Sequence, residues 1–152
     1  MNTTTLTGGV KTARILLVED NPQDAEMTRR AFERAKIGNP ITVVDSGEAA
    51  LDFLYRHCAD RDAPEVDLVL LDLGLPKLDG RGVLRQIAAD KRLRHIPVII
   101  LTGSEREDDL FAAYKGGAVA FLRKPVAVER LLTAIGDLHG YRLLIARLPG
   151  LD

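Results

Sequence analysis

At 152 residues and 46% hydrophobic content, the chain is long enough to bury the core of one domain and too apolar for a disordered polymer. A net charge of −1, from 21 basic and 22 acidic residues, argues against a broad electrostatic footprint for nucleic acid or a membrane surface. The single Cys58 excludes an internal disulfide, and no apolar run is long enough to span a bilayer.

Residues 1–12 are polar and rich in Thr and Gly, with no apolar signal-peptide core. They are expected to be a flexible lead-in to a domain over residues 13–139 of a soluble cytoplasmic protein. Arg14 to Glu19 reads as a buried strand, since Ile15-Leu16-Leu17-Val18 is the continuous apolar run that a parallel sheet requires. Asn21 as N-cap and Pro22 at the first helical position open a helix with Ala25, Thr28, Ala31, Phe32 and Ala35 on one face. Gly38 and Asn39-Pro40 are expected to stop it. Ile41 to Val44 is a second strand, and Ser46 caps a helix that turns Ala50, Phe53 and Leu54 inward.

Residues 57–66 read as a polar loop, followed by a third strand from Val66 to Leu71. A loop from Gly74 to Gly80, containing Pro76, leads to a helix marked by Val83, Leu84 and Ile87. Pro97 opens the fourth strand, Val98 to Leu101, where a missing N–H is tolerated. Ser104 and Glu107 form a capping-box pattern for a further helix, ended by Gly116-Gly117. Ala118 to Arg123 is the fifth strand, and Val128, Leu131, Leu132 and Ile135 line the inner face of the last predicted helix. Five alternations of strand and helix imply an α/β fold, a doubly wound five-stranded parallel sheet covered on both faces. The C-terminal extension, residues 140–152, carries Tyr141, Leu143, Leu144, Ile145 and Leu148. It either extends the last helix or folds back onto its own domain, or it forms an association surface.

Parallel strands deliver their carboxyl ends to one edge of a sheet, where ligands bind. Glu19-Asp20, Asp72, Thr102 and Lys124 each follow a predicted strand, so they are expected to meet there. Two carboxylates about 4 Å apart repel by roughly 4 kcal/mol at an effective dielectric of about 20, so such a cluster holds a proton, a cation or both. A hard divalent cation suits oxygen ligands, and Mg²⁺ takes one or two carboxylates while keeping waters. Lys124 supplies a compact positive charge for a phosphate oxygen, and Thr102 a short hydroxyl donor. Together these groups suit a carboxylate that forms an acyl phosphate.

The ordered set VEDNPQDAE, LLDLGLPKLDG, ILTGS and FLRKP resembles the receiver domain of two-component response regulators, over about residues 12–139. The resemblance implies a flavodoxin-like (βα)5 fold and a Mg²⁺-dependent phosphoryl acceptor at Asp72. It implies that Asp20 binds the metal directly, that Glu19 acts mainly through a metal-bound water, and that the Gly74 carbonyl completes the protein ligands. Thr102 and Lys124 would grip the phosphoryl oxygens, Thr102 and Phe121 would form a switch, and Lys124-Pro125 would be a cis peptide. The implied partners are a sensor histidine kinase, as phosphoryl donor, and an unknown downstream protein. No enzymatic role is implied beyond promoting the chain's own phosphorylation and dephosphorylation.

Departures from the family pattern are Glu19 for the commoner Asp, a side-chain-free Gly74, Ser104 near the acceptor, no hydroxyl on Phe121, and a long 57–66 loop. Gly74 and Ser104 stand where side chains commonly influence dephosphorylation. The stretch RRAFERAKIGNPITVVDSGEAALDFLYR and the apolar tail resemble the stand-alone regulators that accompany bacterial phytochromes. That finer resemblance implies a light-sensing kinase and a homodimer in which the tail takes part. The 13 residues after His139 are too few for a folded output domain, so output is expected to pass through protein contacts. Arg29, Arg30 and Arg34 offer a face for the kinase.

Other residues read more plainly. Glu105 to Asp109 favour a helix N-terminus, His57, His95 and His139 lack metal-ligand spacing and read as surface or loop residues, and Cys58 reads as inert. A Mg²⁺-dependent phosphatase of the haloacid-dehalogenase type is the alternative, since it also uses an Asp nucleophile, Thr or Ser, Lys and an acidic pair. It needs a general acid two residues after the nucleophile, where this chain has Gly74. A nucleotide or flavin module needs phosphate-cradling glycines after the first strand, where Asp20 to Asp24 are acidic and glycine-free.

Overall fold

Each strand sends alternate side chains to opposite faces of the sheet, and in this chain both sets are apolar. The computed structural model describes residues 13–59, 65–75, 80–103 and 116–138. The expected lead-in, the Pro76 turn, the helix after Ser104, the centre of the 57–66 loop and the apolar tail lie outside them.

Five strands form one sheet: β1 (Ile15–Val18), β2 (Ile41–Val44), β3 (Leu68–Asp72), β4 (Val98–Thr102) and β5 (Ala120–Arg123). They are all parallel, in the order β2-β1-β3-β4-β5. Four helices lie among the described residues: α1 (Pro22–Arg34), α2 (Gly47–Ala59), α3 (Gly80–Ala89) and α4 (Val128–Gly136). The expected doubly wound, flavodoxin-like architecture is therefore present. Ile15, Leu17, Leu70 and Leu101 pack with Phe32 of α1 and Leu131 of α4 on one face. Leu16, Val18, Leu71 and Ile100 pack with Leu54 of α2 and Leu84 of α3 on the other. The interior strands β1, β3 and β4 are buried along their whole length, whereas the edge strands β2 and β5 are only partly so.

Local chemistry sets the helix ends. Asn21 Oδ1 accepts from the Gln23 N–H at 2.8 Å and the Asp24 N–H at 3.0 Å, with Pro22 following. Ser46 Oγ accepts from the Ala49 N–H at 3.0 Å. The end of α1 differs from the glycine stop expected at Gly38. Lys36 takes φ 62°, and Ile37 N–H bonds Phe32 O while Lys36 N–H bonds Glu33 O, both at 2.9 Å. This is a Schellman cap with Lys in the left-handed position, sealed by the buried Ile37.

Other corrections concern ends and faces. Asp72 and Thr102 are the last residues of their strands rather than the residues after them. The first strand narrows to Ile15–Val18, and β5 starts at Ala120, although Val119 N–H already bonds Val98 O. Leu132, expected on the inner face of the last helix, is 38% exposed. The buried stripe of α4 runs through Leu131, Ala134 and Ile135, with Leu138 buried just past its end, and Leu132 falls one step, about 100°, off it.

Candidate functional site

The strand order reverses between β1 and β3, which opens a crevice at their carboxyl ends. Val18 pairs with Leu71 there, so Glu19 and Asp72, each one residue further on, stand side by side. Glu19 N–H bonds Val44 O at 2.9 Å and Leu73 N–H bonds Leu101 O at 3.1 Å, which carries the ladder just past the strand ends and fixes both backbones. Glu19, Asp20 and Asp72 each bring a carboxylate oxygen within 4.8 Å of the others.

Lys124 reaches this group from the end of β5. Its backbone N–H bonds Thr102 O at 2.8 Å, and the Lys124-Pro125 peptide is cis. Its Nζ lies 2.6 Å from Glu19 Oε1, 3.1 Å from Asp72 Oδ2 and 3.1 Å from Asp24 Oδ2. The other Asp72 oxygen, Oδ1, accepts from the Gly74 N–H at 2.9 Å. Thr102 is buried at the end of β4, one residue past the Leu101 that pairs with Asp72. Phe121 is half-buried against the α2 and α3 face of the core.

Two site residues escaped the sequence reading. Asp24 follows Asp20 by four residues, which brings it back to the same end of α1 one helical turn on. That spacing is a legible signal, whereas its partner Lys124 is 100 residues away. Gly80 opens α3 against the acceptor strand: a Cβ there would lie 2.5 Å from Asp72 O and 2.7 Å from Leu73 Cα. No sequence pattern announces that contact.

Burial governs the electrostatics. It pushes the Glu19 carboxyl up from its ordinary 4.5 to about 7; Asp72 adds to the rise and Lys124 opposes it. Burial acts to lower the Lys124 pKa, but the close carboxylates of Glu19, Asp24 and Asp72 win and hold it above its ordinary value. Lys124 is therefore an ammonium throughout the physiological range. Glu19 Oε1 has no donor in good hydrogen-bond geometry among the described residues; its short contact with Lys124 is an ion pair only.

The donor set fits a hard divalent cation. The carboxylates of Glu19, Asp20 and Asp72 converge, Lys124 contacts two of them together with Asp24, and a buried Glu19 oxygen accepts no hydrogen bond among the described residues. Among the described residues, Glu19, Asp20 and Asp72 are the one group of His, Cys or acidic side chains close enough together to hold a metal. His57, Cys58 and His95 line a cavity of about 110 Å³ near the amino ends of β3 and β4 without forming such a group. His57, expected at the surface or in a loop, lies within α2, half-buried and stacked on Phe53 with ring centroids 4.0 Å apart.

A parallel β2-β1-β3-β4-β5 sheet with an acid pair, Asp, Thr and Lys gathered at its carboxyl edge defines a flavodoxin-like module of the receiver type. The chain belongs to the response regulator receiver domain family, whose profile matches residues 15–136. It is 44% identical over 137 residues to the probable methanogenesis regulatory protein FilR2 of Methanothrix harundinacea, covering 90% of this chain and 87% of that protein. Response regulator Rcp1 of Synechocystis sp. is 34% identical over 135 residues, 89% of this chain and 92% of Rcp1. A crystal structure of the Mn(2+)-bound form of Rcp1 matches with a TM-score of 0.67 at 33% identity, covering 91% and 99%. The bacteriophytochrome response regulator AtBRR matches with a TM-score of 0.75 at 42% identity, covering 86% of this chain and 94% of that one. The phytochrome-associated resemblance thus holds, and the haloacid-dehalogenase alternative is not favoured. No helix among the described residues is long and apolar enough to cross a membrane.

Proposed function

We propose that this receiver takes a phosphoryl group onto Asp72 from the phosphohistidine of a sensor histidine kinase and passes the signal on through protein contacts. The observation that carries the reading is one carboxylate, Asp72, held at 3.1 Å by the Lys124 ammonium inside a cluster of acids at the switch point. An Asp72 oxygen attacks the phosphorus, an O–P bond forms and the N–P bond breaks. Its electron pair returns to the imidazole nitrogen, which takes a proton from solvent.

Asp20, Asp72 and the Gly74 carbonyl would hold Mg²⁺, with Glu19 acting through a bound water. When bound, Mg²⁺ neutralises charge on the phosphoryl oxygens and aligns them for transfer. Lys124 supplies a fixed positive charge to the same oxygens, and Thr102 a hydroxyl donor. Gly74 is exposed and has no side chain, so nothing on it screens the acyl phosphate from water. The phosphoryl adds about −1.5 to −2 charge. Thr102 and Phe121 convert that charge into a change of surface around β5, since half-buried Phe121 has core on one side and solvent on the other.

The likeness to AtBRR supports a phytochrome-type kinase as the partner. Arg29, Arg30 and Arg34 are exposed on α1, although Arg29 donates to Ile41 O at 3.2 Å and Arg30 pairs with Glu26 at 3.3 Å. Met27, 46% exposed, adds an apolar contact on the same helix, beside Lys124 and Pro125. Residues 1–12 serve as a lead-in and the apolar 140–152 segment as the contact of a cytoplasmic homodimer. The test is phosphotransfer from candidate histidine kinases and from a small acyl-phosphate donor. Wild type is expected to take label and Asp72→Asn none, with an unchanged circular-dichroism spectrum. Equal incorporation in the variant would falsify the acceptor assignment.

A further inference from the structure

Asp24 stands outside the groups assigned to the cation or the phosphoryl, yet it shares their lysine. Its backbone is fixed by the Asn21 cap, and its Oδ2 lies 3.1 Å from Lys124 Nζ. The three carboxylates around that ammonium are graded from interior to rim: the side chain of Glu19 is 0% exposed, that of Asp72 7% and that of Asp24 36%. Of the three, Asp24 alone is absent from the Glu19, Asp20 and Asp72 ligand group. It borders a cavity of about 250 Å³ lined also by Met27, Thr28, Lys124, Pro125 and Val126, so the rim side of the ammonium has open space.

An ammonium and a divalent cation compete for the same oxygens, because each contact made by one raises the cost of the other. Lys124 contacts both Glu19 and Asp72, the two acids it shares with the candidate cation site. A lysine on a flexible four-carbon stem can give up both and stay in the site when a further acceptor, here Asp24, is already within reach. We propose that Asp24 is a positioning residue for Lys124: it holds the ammonium at the rim when Glu19 and Asp72 turn to a divalent cation, and keeps it beside Asp72 for the phosphoryl oxygens. The inference rests on the receiver reading above. An ion pair at the solvent rim contributes little to folding, so the consequence is read in cation affinity.

The experiment is calorimetric titration of the full chain with Mg²⁺ alone, for wild type, Asp24→Asn, Lys124→Met and the double variant, with Lys124→Gln as a second background should the Met variant not fold. Asp24→Asn is expected to weaken Mg²⁺ binding about fivefold when Lys124 is present, and by a smaller factor when it is replaced. An equal or larger loss in the Lys124-free background overturns the proposal, since Asp24 would then act on the cation directly as a charge. Wild-type affinity in Asp24→Asn overturns it too. Absence of Mg²⁺ binding by wild type at millimolar concentration overturns the cation reading itself, and the inference with it, a result distinct from the other two.

Discussion

Glu19 is a carboxyl buried to 2% exposure whose main electrostatic partner is a lysine that it shares with two other acids. Because its folded pKa is raised to about 7 from 4.5, the folded state binds more protons than the unfolded chain between those values. Its contribution to stability is therefore complete below about pH 4.5 and is lost as pH rises through 7. In urea unfolding of the metal-free protein, Glu19→Gln should flatten the fall in stability over that window. A slope as steep as wild type would refute the assignment. Mg²⁺ binding needs the ionised carboxylate, so affinity should rise from pH 6 to pH 8, with protons released in the calorimeter. Lys124 acts at the same scale. Lys124→Ala should still take some label on Asp72, while amide shifts around Phe121 on phosphorylation shrink; an unchanged spectral response would remove Lys124 from the mechanism.

The elements carry these residues by local rules. Asn21, Pro22 and Ser46 were legible as helix starts because capping is chemistry between near neighbours. The left-handed Lys36 was not, because the following Gly38 and Asn39-Pro40 offer a more obvious stop. Leu132 was misplaced because a leucine next to Leu131 satisfies the apolar count but not the angle. Gly80 is the element-scale test of the site. A methyl group there meets the Asp72 and Leu73 backbone, which has no flexible end to give way. Gly80→Ala should lower stability by about 1–3 kcal/mol, read by chemical denaturation, and slow labelling of Asp72. A variant as stable and as readily labelled as wild type would show that α3 shifts freely against β3.

At the scale of the molecule, the sheet order brings the β1, β3 and β5 ends to one edge, although β4 separates β3 from β5. Lys124 spans that gap with its long side chain, while Thr102 sits at the end of the strand between. The homodimer proposed for residues 140–152 belongs to this scale. Truncation after Gly140 should lower the dimer fraction in sedimentation velocity while leaving Asp72 labelling intact. An undiminished dimer would place the contact elsewhere.

Apolar runs and capping residues determined by themselves that this chain alternates strand and helix, because both depend on contacts a few residues apart. The order of the acids, Thr and Lys likewise placed these groups at one sheet edge without coordinates, since parallel strands share one carboxyl edge. Tertiary structure alone decided the rest: that Asp24 shares Lys124, that Gly80 lies against the Asp72 backbone, and that Glu19 is desolvated enough to titrate near neutrality. These depend on distances between segments far apart in sequence and on exclusion of water, which no local pattern encodes.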